Sequence, residues 1–323
     1  MPDARLPEFF IVGSPKTGTT ALYEMLRVHP QIYMPDLKEP HFLASEMKPH
    51  PKFADERRER SMHLPHTLEK YLALFDDAAP DERVGEASAF YLWSPTAADR
   101  IAELQPQARI IAILREPVSF LRSLHLLFLR WGVESEKDLR KAISLDPSRR
   151  DGKNLPARSH RPQLLQYADH VRYVDQLRRF HARLPPEQIL VLIYDDFRSD
   201  NDATVKQVLR FLDVDDQSPV EPLETNVTTR TQRSHRARYL LMSLRGRGQV
   251  ARSARRTIRR LTTRRVRRGA LRAFQRHVVS ASAPPADEAV MSELRQRFKP
   301  EVVALSEYLG RDLVRLWGYE QLD

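Results

Sequence analysis

The run Gly13-Ser14-Pro15-Lys16-Thr17-Gly18-Thr19-Thr20 gathers the groups an anion needs. Two glycines let the backbone approach a ligand closely, Lys16 brings a full positive charge, and Thr17, Thr19 and Thr20 bring hydroxyl donors. A helix opening at the end of the run adds unpaired N–H groups and a partial positive charge. Such a turn cradles a phosphate. A nucleoside-triphosphate loop of the Walker type places its lysine directly after the second glycine. Here Thr19 holds that place and Lys16 stands two residues before Gly18, which argues against an ordinary ATPase or kinase. A second cluster is Arg115-Glu116-Pro117, with Ser123 eight residues after the arginine. The planar fork of arginine suits a phosphate. On residue type alone the pair reads equally as an anion grip, or as a surface Arg115 paired with Glu116 and a helix serine bonded to its own backbone.

The elements that must position these groups are legible as apolar runs. Phe9–Val12 is a short strand that ends in the glycine turn, and a helix follows from Thr19, with Leu22, Met25 and Leu26 on one face, closing before His29-Pro30. Arg109–Leu114 is a second strand, leading through Arg115 into a long helix through Phe128. Ile189–Tyr194 is a third, followed after a loop by a helix over Ala203–Leu212. Further helices are expected over Thr96–Leu104 and Gln166–Leu184. Continuously apolar strands alternating with helices predict an α/β fold, a P-loop-like central parallel sheet flanked by helices. Ligands in such sheets sit at the carboxyl ends of the strands, where both clusters fall.

The chain has 323 residues, is 41% hydrophobic and contains no cysteine. That excludes disulfides, thiolate metal sites and thiol nucleophiles. No apolar run is long enough to span a bilayer and the first residues do not resemble a signal peptide, so the expectation is a cytoplasmic protein. The net charge of +10 is unevenly spread: from Glu224 to Asp287 there is neither an acidic residue nor a lysine, but 17 arginines. An Arg-rich helical insertion or arm is expected over 235–280, within a single domain spanning 1–323. Its partner would be acidic, or it is a solvated helical face; peripheral contact with the inner membrane surface fits the amphipathic spacing. Nucleic acid is not expected, because Tyr239 and Phe274 alone make no stacking platform.

Phe9 through Leu22 resembles the 5′-phosphosulfate loop of sulfotransferases that use 3′-phosphoadenosine-5′-phosphosulfate (PAPS), and Leu26-x-x-His29-Pro30 continues the likeness to the bacterial and glycosaminoglycan-type branch. Leu114-Arg115-Glu116-Pro117 followed by Ser123 is similar to that family's 3′-phosphate motif. Weaker likenesses are Gly85–Leu92, with Ala87 where glycosaminoglycan members often carry lysine, and Leu190–Phe197. Asn226-Val227 with Arg233-Ser234 is another. The resemblance implies that Pro15, Lys16, Thr17, Gly18, Thr19 and Thr20 hold the sulfated end of PAPS and that Arg115 and Ser123 hold its 3′-phosphate. It puts Tyr194 beside the adenine, with strand-end packing as the alternative, and Arg233 over the nucleotide.

Lys38-Glu39-Pro40-His41-Phe42 is similar to the segment that supplies the family's catalytic carboxylate, which makes Glu39 the base; His41 is the rival. Glu86 is a lesser candidate, expected to orient Lys16 or buttress the loop. The implied reaction is in-line transfer of a sulfuryl group to an acceptor hydroxyl, leaving adenosine 3′,5′-bisphosphate (PAP), with no metal. The acceptor would be a sugar, a lipid or a carrier-bound metabolite, and the Arg-rich stretch hints that it is anionic. Residues 43–80 and 130–165 read as irregular and would form the acceptor mouth and a lid. The alternatives are a P-loop kinase and a non-enzymatic Arg-rich protein that binds nucleic acid or membrane surfaces.

Overall fold

The computed structural model describes residues 5–47, 64–156, 159, 161–217, 230–232, 280–282 and 285–322. A parallel sheet of five strands is its centre, in the order β2-β3-β1-β4-β5. The strands are β1 (Phe9–Ile11), β2 (Ile32–Tyr33), β3 (Arg83–Ala87), β4 (Arg109–Leu114) and β5 (Ile189–Ile193). Alternating side chains divide the core. Phe10, Val12, Ile110, Ala112 and Leu114 face one layer of helices, and Phe9, Ile11, Ile111 and Ile113 face the other. The second layer is α1 (Thr19–Arg27) with a later helix, Asn201–Phe211, which buries Val205, Val208 and Leu209 there. The first is built from Ala97–Leu104, Pro117–Trp131, Tyr173–His181 and the 22-residue helix Glu288–Leu309.

In chain order the remaining helices are α2 (Leu68–Leu72), α3 (Ala97–Leu104), α4 (Pro117–Trp131), α5 (Leu139–Ser144) and α6 (Asp146–Arg150). Then follow α7 (Tyr173–His181), α8 (Tyr194–Ser199), α9 (Asn201–Phe211), α10 (Glu288–Leu309) and α11 (Leu313–Leu316). From β1 the chain crosses to β2 at one edge and returns to β3, then passes over β1 to β4 and β5 on the other side, so the direction of winding reverses at β1. That is the switch point at which an open α/β sheet leaves a crevice. A separate antiparallel pair, β6 (Arg230–Gln232) and β7 (Ser280–Ser282), joins the two ends of the Arg-rich stretch. Apart from Ser280, the arm expected over 235–280 lies outside the described residues, as does Arg233.

Several elements differ from the sequence reading. Strands β2 and β3 carry no long apolar run; β3 contains Gly85 and the buried Glu86. Gly85 is dictated by packing, because a Cβ there would lie 2.1 Å from the ring of Phe9. The helix expected over Gln166–Leu184 is one 3-10 turn, Ala168–Val171, and then α7, broken at Arg172 with ψ of 59°. The Asp146 carboxylate takes the N–H groups of Tyr167 and Ala168 at 3.1 and 2.8 Å, which draws that stretch out of a continuous helix. Tyr194 opens α8 instead of ending β5. Residues 130–165 contain α5 and α6, tied down by a buried bidentate pair of Arg149 with Glu134 at 2.8 and 2.9 Å. Among the described residues no helix is long and apolar enough to cross a membrane.

Candidate active site

The glycine turn leaves β1 and opens α1. Thr17 braces the turn: its buried hydroxyl and its N–H both donate to the Ser14 carbonyl, at 2.6 and 3.3 Å. Gly18 is the N-cap of α1 at φ 92°, and a Cβ there would meet the Phe197 ring at 3.0 Å. Having no side chain, it leaves the N–H groups of the first turn without a side-chain cap, open to an anion. Pro15 and Thr19 are buried, whereas Lys16, Gly18 and Thr20 are partly exposed at the crevice.

The second cluster comes to the first. Arg115 Nη1 donates to the Lys16 carbonyl at 3.0 Å across 99 residues of sequence, and its guanidinium stacks over the Tyr194 ring at 4.7 Å. Tyr194 also borders the loop, 3.5 Å from where a Gly18 Cβ would stand. Glu116 caps α4, accepting from Val118 N–H at 3.0 Å and Ser119 N–H at 2.6 Å, so α4 starts directly behind Arg115. Ser123 lies buried on α4, two turns on. The Lys16 ammonium is held below its ordinary value by burial and then by the charges of Arg130 and Arg115. Converging cations in a partly dry crevice are a site for a multiply charged anion. Arg130, at the end of α4, was not singled out by sequence; nothing in its own neighbourhood marks it, and only the fold turns it towards Lys16.

The carboxylate segment is bolted to β3. Glu39 N–H donates to the Ala87 carbonyl at 2.9 Å, His41 N–H to Ser88 Oγ at 3.1 Å, and Leu43 N–H to the Tyr91 hydroxyl at 3.0 Å. Ala87 pairs with Ile11 in the sheet, so this segment lies over the strand end beside the glycine turn. Glu39 Oε1 accepts from Lys38 Nζ at 2.7 Å, and its Oε2 lies 3.6 Å from His41 Nε2. Burial acts to raise the Glu39 carboxyl, but the neighbouring His41 ring and the Lys38 ammonium outweigh it and hold it at about 2. It is therefore ionised and one-third exposed, with a weak basicity as long as Lys38 and His41 stay beside it. His41 Nδ1 is buried without a hydrogen-bond partner.

Glu86 behaves otherwise. It is fully buried and its Oε2 accepts from the Tyr71 and Tyr91 hydroxyls, at 2.6 and 2.9 Å, while Oε1 has no partner. Burial outweighs the nearby hydroxyls and raises its carboxyl to about 7. Through Tyr91 it supports the backbone of Leu43, so it buttresses the carboxylate segment.

Backbone conformation marks the same residues. Among the described non-glycine residues, positive φ occurs at Lys16 (71°), Glu39 (61°), His41 (52°), Asn154 and Asp213. Left-handed conformations at side-chain-bearing residues cost free energy and gather at functional sites. Here they fall on the lysine and on both candidate bases. Among the described residues no group of His, Asp or Glu could hold a metal ion.

Comparison with known proteins agrees with this geometry. The family model described as the sulfotransferase family matches residues 7–218. Carbohydrate sulfotransferase 15 of Mus musculus is 30% identical over 256 residues, covering 65% of this chain and 44% of that protein. The bifunctional heparan sulfate N-deacetylase/N-sulfotransferase 3 of Homo sapiens is 29% identical over 217 residues, covering 65% of this chain and 22% of that protein. This chain thus spans less than half the length of either relative. A solved sulfotransferase from Alicyclobacillus acidocaldarius superposes with a TM-score of 0.57 at 28% identity, covering 69% of this chain and 87% of that one. The chain belongs to the sulfotransferase family. That membership sets aside the kinase reading.

Proposed function

We propose that the chain transfers the sulfuryl group of PAPS to a hydroxyl of a carbohydrate-like acceptor. One observation carries the donor reading: Arg115 is bonded to the Lys16 carbonyl, so two phosphate-binding turns form a single crevice. The glycine turn, Lys16 and the first N–H groups of α1 suit the 5′ end of the nucleotide, and Arg115 with Ser123 suits its 3′-phosphate. A nucleotide phosphorylated at both ends matches that spacing of charge, and one lacking a 3′-phosphate leaves Arg115 idle.

In the transfer, the acceptor oxygen forms a bond to sulfur while the bond from sulfur to the 5′-phosphate oxygen breaks. Glu39, ionised in the free protein, takes the acceptor proton. Lys16 and the loop N–H groups meet the negative charge that grows on the departing phosphate oxygen, the role in which fixed donors are most effective. Displacement of Lys38 by an acceptor removes one cause of the low Glu39 pKa and strengthens the base as the site closes. The carbohydrate class is drawn from the relatives whose names carry it. A panel of glycan, lipid and small-molecule alcohols incubated with PAPS tests the reading. The expected result is a gain of one sulfuryl group by mass spectrometry on a sugar acceptor, with PAP released in equal amount. PAP-free mixtures across the panel would refute it.

A further inference from the structure

The segment after α10 lies beyond the residues the family model matches. It is fastened to the site at three points. Arg311 makes a bidentate pair with Asp196, Trp317 Nε1 donates to Asp195 Oδ2 at 2.9 Å, and the Tyr319 hydroxyl donates to Glu116 Oε1. Asp195 and Asp196 directly follow Tyr194, and Glu116 directly follows Arg115. One short tail therefore grips both turns that meet in the Arg115–Tyr194 stack.

The grips differ in kind. The Arg311–Asp196 pair is half exposed, 40% and 46%, and such pairs contribute little. The Tyr319 bond is different: Tyr319 is fully buried, Glu116 is 8% exposed, and the carboxylate already holds the first turn of α4. A buried hydrogen bond is directional, and leaving its acceptor without the donor is costly. Between the two aromatic anchors stands Gly318 at φ 72°, a turn that aims Trp317 at one strand end and Tyr319 at the other. Lys299 on α10 bonds the Leu322 carbonyl and closes the far end of the tail. From α7, Tyr173 donates to the Arg115 carbonyl at 3.0 Å, so the arginine backbone is held from a second side.

We infer that the tail Arg311–Tyr319 is a positioning element of the donor crevice, which fixes the Arg115–Tyr194 stack and so sets the preference for a nucleotide carrying a 3′-phosphate. This rests on the donor reading above. A guanidinium recognises phosphate through a fixed fork, and small displacements of its supports cost affinity. The three tail anchors bond the residues next to Arg115 and Tyr194 and not the glycine turn itself, so loss of the tail should weaken the grip on the 3′-phosphate more than that on the 5′ end.

The test compares Tyr319→Phe, and Trp317→Phe combined with Tyr319→Phe, with the wild-type chain. Calorimetry measures binding of PAP and of adenosine 5′-monophosphate. The double variant should lose roughly tenfold in PAP affinity and clearly less in monophosphate affinity, as for loss of a buried hydrogen bond. The single conservative variant should move the same ratio in the same direction. Ile101→Val, a core change on α3, serves as the control for general destabilisation and should lower the melting temperature without moving the ratio. Parallel losses for both nucleotides, or an unchanged ratio in both variants, would overturn the inference while wild-type PAP binding stands. If the wild-type chain does not bind PAP, the donor reading itself falls and this inference falls with it.

Discussion

Replacing Glu86 by glutamine should remove a loss of stability that the wild-type chain suffers as pH rises through neutrality. The Glu86 carboxyl is raised from 4.5 to about 7 because burial outweighs its hydroxyl partners. The folded chain therefore keeps this proton up to about pH 7, whereas the unfolded chain releases it near 4.5. Between those values the folded state binds more protons, so stability falls with rising pH. The contribution is complete below 4.5 and gone once pH exceeds about 7. In full it is roughly 3 kcal/mol, of which about 2.5 kcal/mol disappears between about pH 5 and about pH 8. Glutamine keeps an acceptor for Tyr71 and Tyr91 and carries no charge at any of these pH values. Urea unfolding of both chains across that range gives the comparison. The wild type should weaken relative to Glu86→Gln by about 2.5 kcal/mol from the acid to the alkaline end. Parallel pH profiles, or a wild type that strengthens relative to the variant, would show that Glu86 is ionised throughout, and the reasoning from its burial would be wrong.

Lys16→Ala should lower turnover by about 10²-fold or more, the magnitude for removal of one donor to a developing oxyanion, measured as PAP release under saturating PAPS. Unchanged turnover would remove its leaving-group role. Glu39→Gln should abolish transfer while PAP affinity by calorimetry stays within about twofold, since the carboxylate faces the acceptor side; retained activity moves the base to His41. Gly18→Ala should cost about 1–3 kcal/mol in stability, because of its φ of 92° and the Phe197 ring 3.0 Å from the new methyl, and should weaken PAP binding. A thermal-shift series with and without PAP reads both effects, and an unperturbed variant would mean the turn tolerates a side chain.

The parts of the fold that were legible in sequence are those with uniform chemistry. Strands β1, β4 and β5 are unbroken apolar runs, and the turns that follow β1 and β4 carry the charged residues that mark a site. Strand β3 was not legible, since Gly85 is there for contact with Phe9 and Glu86 for a buried polar network, and neither residue signals a strand. The segment holding Glu39 was found by resemblance, but its left-handed backbone at Glu39 and His41 goes with hydrogen bonds to Ala87, Ser88 and Tyr91, about 50 residues away, and leaves no local signature. Thr17 reads as a ligand donor by type, and its bond to the Ser14 carbonyl has no signature in the sequence. The bond from Tyr319 to Glu116 spans 203 residues, and the charge of Arg130 acts on Lys16 across more than a hundred. Contacts of that range depend on the assembled sheet, not on periodicity.

The most direct measurement is a calorimetric titration of the wild-type chain and of Arg115→Ala with PAP and with ATP–Mg²⁺. Saturable binding of PAP in preference to ATP, weakened by about 30-fold or more in Arg115→Ala, is the predicted result for a guanidinium fork on the 3′-phosphate. Equal affinity for the two nucleotides, or PAP binding that ignores Arg115→Ala, would contradict the two-turn crevice.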